Sequence, residues 1–450
     1  MAGTAVSLEL ADIQGLVVRG YGTLDSAAYL LCSIEQPATA RPWLQALAAR
    51  LDDARERPET LALNVAFTAA GLERLGVPAS TLGAFPPQFT GGMTEEHRSR
   101  LLGDVGESAP ARWEWGAPGG DPIHLAVLVY AAGATALDAA VGSLERELEA
   151  AGLRLVGRLD TAPSQPREHF GFRDGVSQPR IEGLGDAPGA NTVRAGEFLL
   201  GYPNEYGLLP DGPGDLGRNG SFLVMRQLEQ DVAGFWEFCE RASAGPEGRP
   251  DAAARVRLAA KLVGRWPSGA PLVLAPDADD PAQGEANEFA YHAEDRRGLR
   301  CPIGAHVRRA HPRDSLDPDP GSAQSVAVGK RHRLLRRGRQ YGAFLPVDDL
   351  LSPGVSPDWS AEPRGLHFIC LVANLARQFE FVQHTWIANP RFAGLYDGAD
   401  PLLAGDERSF TIPAEPVRER YTGLPTFVTV RGGAYFFLPG IRAVRSLASA

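Results

Sequence analysis

Four stretches of the 450-residue chain bring together side chains that could move protons, bind an anion or ligate a metal. The first is Gly171-Phe172-Arg173-Asp174-Gly175. Two glycines around one acid make a tight loop that can hold a carboxylate up into a cavity as a proton acceptor. An ordinary turn capped by its Asp has the same pattern. The second stretch is CPIGAHVRRAHPRD, from Cys301 to Asp314, where the neutral imidazole of His306 is a candidate metal ligand. Cys301, His306 and His311 invite a zinc reading, but no fourth ligand is near and Pro302 and Pro312 interrupt the spacing. A core or surface histidine with no ligand is the commoner fate of such a residue.

The third stretch, KRHRLLRRGRQYG from Lys330 to Gly342, is densely basic. Leu334 and Leu335 point to a strand or turn with one buried face, so at least one Arg turns inward and needs an anion or a polar partner. The fourth, from Arg377 to Trp386, sets Glu380 among aromatics on a predicted helix. A carboxylate there is costly unless it accepts hydrogen bonds. The N–H of a ligating imidazole is a fitting donor, because such a carboxylate orients the ring and raises its basicity. A plain surface Glu satisfies the pattern as well.

The elements that must position these residues alternate. Residues 63–68, 122–130 and 153–159 read as strands, and a helix opens at Thr135 with Asp138 as a capping-box-like pair and Gly152 at its end. Its stripe is Leu137, Val141, Leu144 and Leu148. A further helix spans 43–55. In the second half, 221–226 and 367–373 read as strands, with helices over 229–242 and 375–386. Irregular Pro- and Gly-rich connections run over 161–196 and 267–330. The pattern predicts two α+β domains, each a sheet with helices on one face.

Composition narrows the function classes. The chain carries a formal charge of -10 and is 44% hydrophobic, which argues against disorder and against general nucleic-acid binding. Lys261 and Lys330 are the only lysines among 45 basic residues, so a single Arg carries little meaning. Yet nine basic residues crowd between His306 and Arg339 against three acids, a local positive field suited to a specific anion. No apolar run reaches the roughly 18 residues of a membrane span. No export signal is visible, and four scattered cysteines (Cys32, Cys239, Cys301, Cys370) predict a reduced, cytoplasmic protein.

Taken together, the sequence resembles the dye-decolorizing peroxidase family of haem proteins. GFRDG, CPIGAHVRRAHPRD and LLRRGRQYG occur in the family's order, with softer echoes in DIQG (12–15), NVAFTAAGLERLG (64–76), LGYPNEYG (200–207), AAKLVGRWPSGAPL (259–272) and QFEFVQHTW (378–386). The resemblance implies two tandem ferredoxin-like domains of the dimeric α+β barrel type, 1–185 and 186–450, with haem b in the second. It implies that His306 is the iron ligand, that Glu380 accepts its other N–H, and that Asp174 and Arg336 are the catalytic acid-base residue and its arginine. Arg313 would pair with a haem propionate, and Leu366 and Phe368 would form an apolar wall that narrows access. His367 between them would point to the opposite face.

By the same resemblance, hydrogen peroxide is the oxidant and a dye, phenol or other bulky organic molecule the reductant. Asp174 would move the peroxide proton from one oxygen to the other, while Arg336 steadies the charge that develops as the O–O bond breaks. Reductants too large for the pocket would need an oxidisable aromatic as relay. Tyr341, Trp386 and Trp359 are candidates, although core packing is the commoner role for each. No nucleic acid or membrane partner is expected, and self-association is possible for such sheets. Two other readings remain: a haem-binding protein of the same fold that handles haem or iron, and a haem-free module that binds an anionic polymer through the basic run.

Overall fold

The structure, a computed structural model, describes residues 7–185, 189–245, 248–249, 251–352, 363–405 and 408–449. Nine strands make one antiparallel sheet: β1 (Ser26–Ile34), β2 (Leu61–Phe67), β3 (Leu125–Ala131), β4 (Leu153–Asp160), β5 (Ser221–Gln230), β6 (Leu335–Arg336), β7 (Arg339–Tyr341), β8 (Gly365–Val372) and β9 (Val428–Leu438). Their order is β4-β1-β3-β2-β9-β5-β8-β6, with β7 also on β8. The first four strands form one half and the others the second. The halves join where Phe437 of β9 pairs with Phe67 of β2. This is the expected α+β architecture. The expected boundary at 185/186 falls beside residues 186–188, which lie outside the described residues.

Side-chain alternation sorts the sheet into two faces. Leu30 and Cys32 of β1 join Phe222 and Val224 of β5 and Cys370 of β8 on one face, under the helices Pro37–Ala48, Ala134–Ala150 and Ile441–Ser449. Tyr29 and Leu31 turn to the other face, covered by irregular chain that contributes Leu16, Leu24, Ile181 and Phe198. A third cluster gathers the helices Val232–Ser243 and Ala252–Val263 around Phe235, Trp236 and Leu258. Among the described residues no helix is long and apolar enough to cross a membrane.

Several local expectations shift. The first helix spans Pro37–Ala48 rather than 43–55, because Pro37 suits a first turn. The helix after Gly133 has no side-chain cap, and Asp138 pairs with Arg158 instead. The strand expected at 221–226 runs to Gln230, and Asp231 then caps Val232–Ser243 by accepting from the Gly234 N–H. The helix expected over 375–386 is two consecutive π-helical runs, Ala376–Glu380 and Val382–Ile387.

Strand β9 carries Gly432 and Gly433 at a bulge beside Val430. A Cβ at Gly432 would lie 2.3 Å from Trp115 Nε1, the atom that donates to Gln227 Oε1 at 2.7 Å. We expect Gly432→Ala to lose roughly 1–3 kcal/mol through overpacking, read as a lower urea midpoint. An unchanged midpoint would show that Trp115 can swing aside freely.

Candidate active site

Between the helix-covered face of the sheet and the chain around His306 lies a cavity of about 280 Å³. Leu366 and Phe368 of β8 line it, as do Leu228 of β5, Val263, Leu402 and Leu403. His367 lies on the opposite face, stacked on Tyr341 with ring centroids 4.5 Å apart. One wall is therefore set by the pleat of a single strand.

Asp174 and Arg336 meet at this cavity. Gly171 and Gly175 take φ of +94° and +82°, conformations that other residues adopt at a cost, and the loop between them carries Asp174 inward. Arg336 ends β6, opposite Cys370 of β8, and its N–H donates to Gln178 Oε1 at 3.0 Å. Its Nη1 donates to Asp174 Oδ1 at 2.8 Å. The Gly175 N–H donates to the same oxygen at 2.6 Å. Asp174 Oδ2 remains available to a ligand. Burial works to raise this carboxyl, but Arg336, the Gly175 N–H and nearby His306 together hold it below the usual carboxylate range.

His306 begins the short helix His306–Ala310 and also lines the cavity. Its Nδ1 lies 2.9 Å from Oδ2 of Asp400, which is fully buried. The other Asp400 oxygen accepts the N–H groups of Leu402 and Leu403, each at 2.9 Å. Nδ1 being so committed, Nε2 is the nitrogen that can serve a ligand. Burial opposes charge on both groups, yet their mutual attraction raises the His306 imidazole and lowers the Asp400 carboxyl.

The structure thus corrects the expected role of Glu380. Glu380 is buried in the first π-helical run, where its Oε1 accepts from Arg98 Nη1 at 2.7 Å and from the Tyr435 hydroxyl at 2.9 Å. Its needs are met by Arg98 and Tyr435 rather than by His306, and Phe379, Val382 and Gln383 line the cavity in its place. Asp400, 94 residues from His306 in a loop, carried no spacing signal beyond being one more Asp-Pro.

Two further cations of the cavity wall are Arg265 and Arg333. Arg333 Nη1 stands 2.8 Å from His311 Nε2, which keeps that imidazole neutral as an acceptor. Burial, with Arg313 alongside, lowers Arg265 to about 10 and Arg333 to about 9. A guanidinium resists deprotonation, so an anion is the natural relief for such crowding. Arg265 Nη2 is buried with no partner. Arg313 does not line the cavity. Its guanidinium donates to the Asn287 carbonyl and side chain, each at 2.7 Å, and stacks on Phe289. It stands one layer back, where its charge bears on Arg265 and Arg333.

No protein-family model matches the sequence. Curated relatives do. The dye-decolorizing peroxidase of Auricularia auricula-judae is 32% identical over 479 residues, 99% of this chain and 88% of that protein. The multifunctional dye peroxidase DyP2 of an Amycolatopsis species is 33% identical over 97% of this chain and 96% of its own length. The chain belongs to the dye-decolorizing peroxidase family. A crystal structure of the Auricularia auricula-judae decolorizing peroxidase superposes with a TM-score of 0.83 at 28% identity, covering 98% of this chain and all of the other. A structure from a study of an ancestral D-type dye decolorizing peroxidase gives 0.81 at 27% identity.

Dye-decolorizing peroxidases are haem enzymes, and the residues of this cavity fit that group. An imidazole nitrogen is available, apolar walls suit the macrocycle, and unrelieved cations suit its carboxylates. Of the suggested relays, Tyr341 and Trp386 are both buried, Trp386 against His332 and Phe381. Trp359 lies outside the described residues. We expect Asp400→Asn to raise the reduction potential of the bound haem, since the imidazole then loses an anionic acceptor. Glu380→Gln should leave the potential unchanged and cost roughly 3–5 kcal/mol of stability by breaking a buried pair. Spectroelectrochemistry and urea denaturation read the two effects; exchanged outcomes would return Glu380 to the imidazole.

Proposed function

We propose that this peroxidase binds haem b through His306 Nε2, reduces hydrogen peroxide at the Asp174 side of the cavity, and oxidises dyes, phenols or similar organic molecules. The observation that carries this reading is that Asp174, Arg336 and His306 line one cavity and feel one another's charge. A protein that only stores or hands over haem has no need of an ionised carboxylate held by a guanidinium. We further propose that the 186–450 segment holds most of the haem, with Arg265 and Arg333 turned toward its propionates and Arg313 behind them. Four buried free thiols support a reducing, cytoplasmic setting.

Haem, when bound, supplies an iron centre that reduces peroxide by two electrons and is returned to rest by the organic reductant. The side chains supply the proton handling. Asp174 Oδ2 takes a proton from one peroxide oxygen and returns it to the other, which leaves as water. For this it must be ionised, and Arg336 keeps it so. Arg336 also faces the negative charge that grows as the O–O bond lengthens, in a site where water is largely excluded. Asp400 keeps the His306 ring oriented and electron-rich. Leu366 and Phe368 keep the wall dry and narrow.

His306→Ala should abolish the Soret band of the purified protein, and a colourless wild type that resists haem loading would overturn the proposal. Asp174→Asn should lower kcat/KM for peroxide by roughly 10²–10⁴-fold. The pH dependence follows in sign. Asp174 is held below its ordinary range, so wild-type activity should persist through mildly acidic pH and fall only as the carboxyl protonates. Arg336→Leu removes the attraction and leaves burial dominant, so the acid limb should move to higher pH. An acid limb that stays in place would dissociate it from Asp174.

A further inference from the structure

Glu168 lines the same cavity six residues before Asp174, and the mechanism above makes no use of it. Its carboxyl is turned back on the loop's own backbone. Oε2 accepts the Phe170 N–H at 2.9 Å and Oε1 accepts the Phe172 N–H at 2.9 Å. The main chain closes around the same residue: the Glu168 N–H donates to the Phe172 carbonyl at 2.9 Å, and the Gly171 N–H donates to the Glu168 carbonyl at 2.8 Å. From the last residue of β5, Gln230 Nε2 donates to Glu168 Oε2 at 2.8 Å. One side chain thus connects both ends of the turn to the sheet.

The turn has other supports, but it is Glu168 that takes the Phe170 and Phe172 amides. Phe170 packs on Phe235 with centroids 4.6 Å apart, and Phe172 stacks nearly parallel to Trp236 at 6.3 Å. These contacts hold the rings in the core, and between them Gly171, at φ +94°, offers its carbonyl to Arg167 Nη1 at 2.8 Å. Beyond the turn, the Arg173 and Asp174 N–H groups reach the carbonyls of Pro267 and Pro166 at 3.2 and 3.0 Å. Without the Glu168 carboxyl, the Phe170 and Phe172 N–H groups would lose their acceptors in a largely buried setting, which a backbone avoids by moving.

We propose that Glu168 is the positioning residue of the proton-transfer loop, tying the Phe170 and Phe172 amides to the sheet through Gln230 and so fixing where Asp174 stands beside Arg336. The proposal rests on the reading of Asp174 as the proton acceptor. Burial pushes the Glu168 carboxyl up to about 7 against the pull of its three donors. That is the behaviour of a group enclosed in the cavity wall rather than displayed to water. Displacing a reacting group by about 1 Å can cost on the order of 10²-fold in rate, so a loosened loop is enough to matter.

The test uses haem-loaded wild type, Glu168→Ala, Glu168→Gln, Asp174→Asn and the Glu168→Ala/Asp174→Asn double variant. Hydrogen-deuterium exchange of the peptide containing residues 168–175 reads the clamp directly. Faster exchange is expected in Glu168→Ala, with Glu168→Gln intermediate because its amide oxygen still accepts. Peroxide kcat/KM should fall roughly 10- to 100-fold in Glu168→Ala, while kcat/KM for the organic reductant stays within twofold. A residue acting through Asp174 adds nothing once Asp174 is gone, so the double variant should match Asp174→Asn. Faster exchange with an unchanged peroxide reaction would overturn the proposal. So would unchanged exchange, or a double variant slowed by the full product of the two single effects. If Glu168→Ala does not fold, Glu168→Gln decides, and wild-type exchange and peroxide kinetics in it would refute the role. A silent Asp174→Asn would instead overturn the reading of Asp174, with Glu168 intact.

Discussion

Asp174 and Arg336 stand 162 residues apart in the chain and 2.8 Å apart in space. That ion pair constrains much of the rest. Its carboxylate comes from an irregular loop that follows β4, and its guanidinium from a two-residue strand at the edge of the second half-sheet. To bring them together, the loop must be held against the end of β5 while β6 keeps register with β8. Register is strict here, because a shift of one residue on β8 would turn Leu366 and Phe368 out of the cavity and His367 into it. The strand pairs Leu366 with Leu228 and Phe368 with Arg226, and both faces of the sheet are covered, so the slip would cost two cores at once.

The basic segment has a different meaning from the one its charge suggests. Of its nine cations, Arg333 and Arg336 reach the cavity wall. Arg308 and Arg309 are buried and donate to carbonyls of Cys301, Gly304, Trp386 and Asn389. Arg337 holds the carbonyls of Leu16 and Val17, and Arg339 that of Tyr21. These guanidiniums fasten irregular chain whose carbonyls have no ladder to join. A five-donor planar group suits this work where a lysine would not. A cluster of charge in the sequence was therefore mostly scaffold, and only in part an anion site.

Legibility followed the range of the interactions. Asp174, His306 and Arg336, which the structure brings to one cavity, were singled out together by the family resemblance, whose motifs are local: two glycines around an acid, a histidine in a Pro-bounded turn, an Arg after two leucines. The partner of His306 was not. Glu380 and Asp400 are both buried carboxylates, and which one meets the imidazole depends on the π-helical turns and on the path of the loop before Asp400. Strand β1 escaped notice because all nine of its residues are buried, so no apolar-polar alternation marks it. Strand β9 carries Gly432 and Gly433, residues that strands disfavour, so its pattern is weak. The reason for Gly432 is the indole of Trp115, 317 positions away, and no local pattern can announce that.

The cavity's charges close into a consistent account. Asp174 and Arg336 form one ion pair, and the Asp400 carboxylate faces His306 Nδ1. Glu168 titrates near neutrality and is offset by three N–H donors. What remains uncompensated is Arg265 and Arg333, reinforced by Arg313 from behind. Two cations without a carboxylate partner in the wall of a largely apolar cavity accord with a flat ligand that carries two carboxylates, as haem does. Arg336 matters to Asp174 in the same terms: without its attraction, burial would raise the Asp174 carboxyl. On the proposed reading, Arg265 and Arg333 would answer the ligand's anions and leave Arg336 to Asp174.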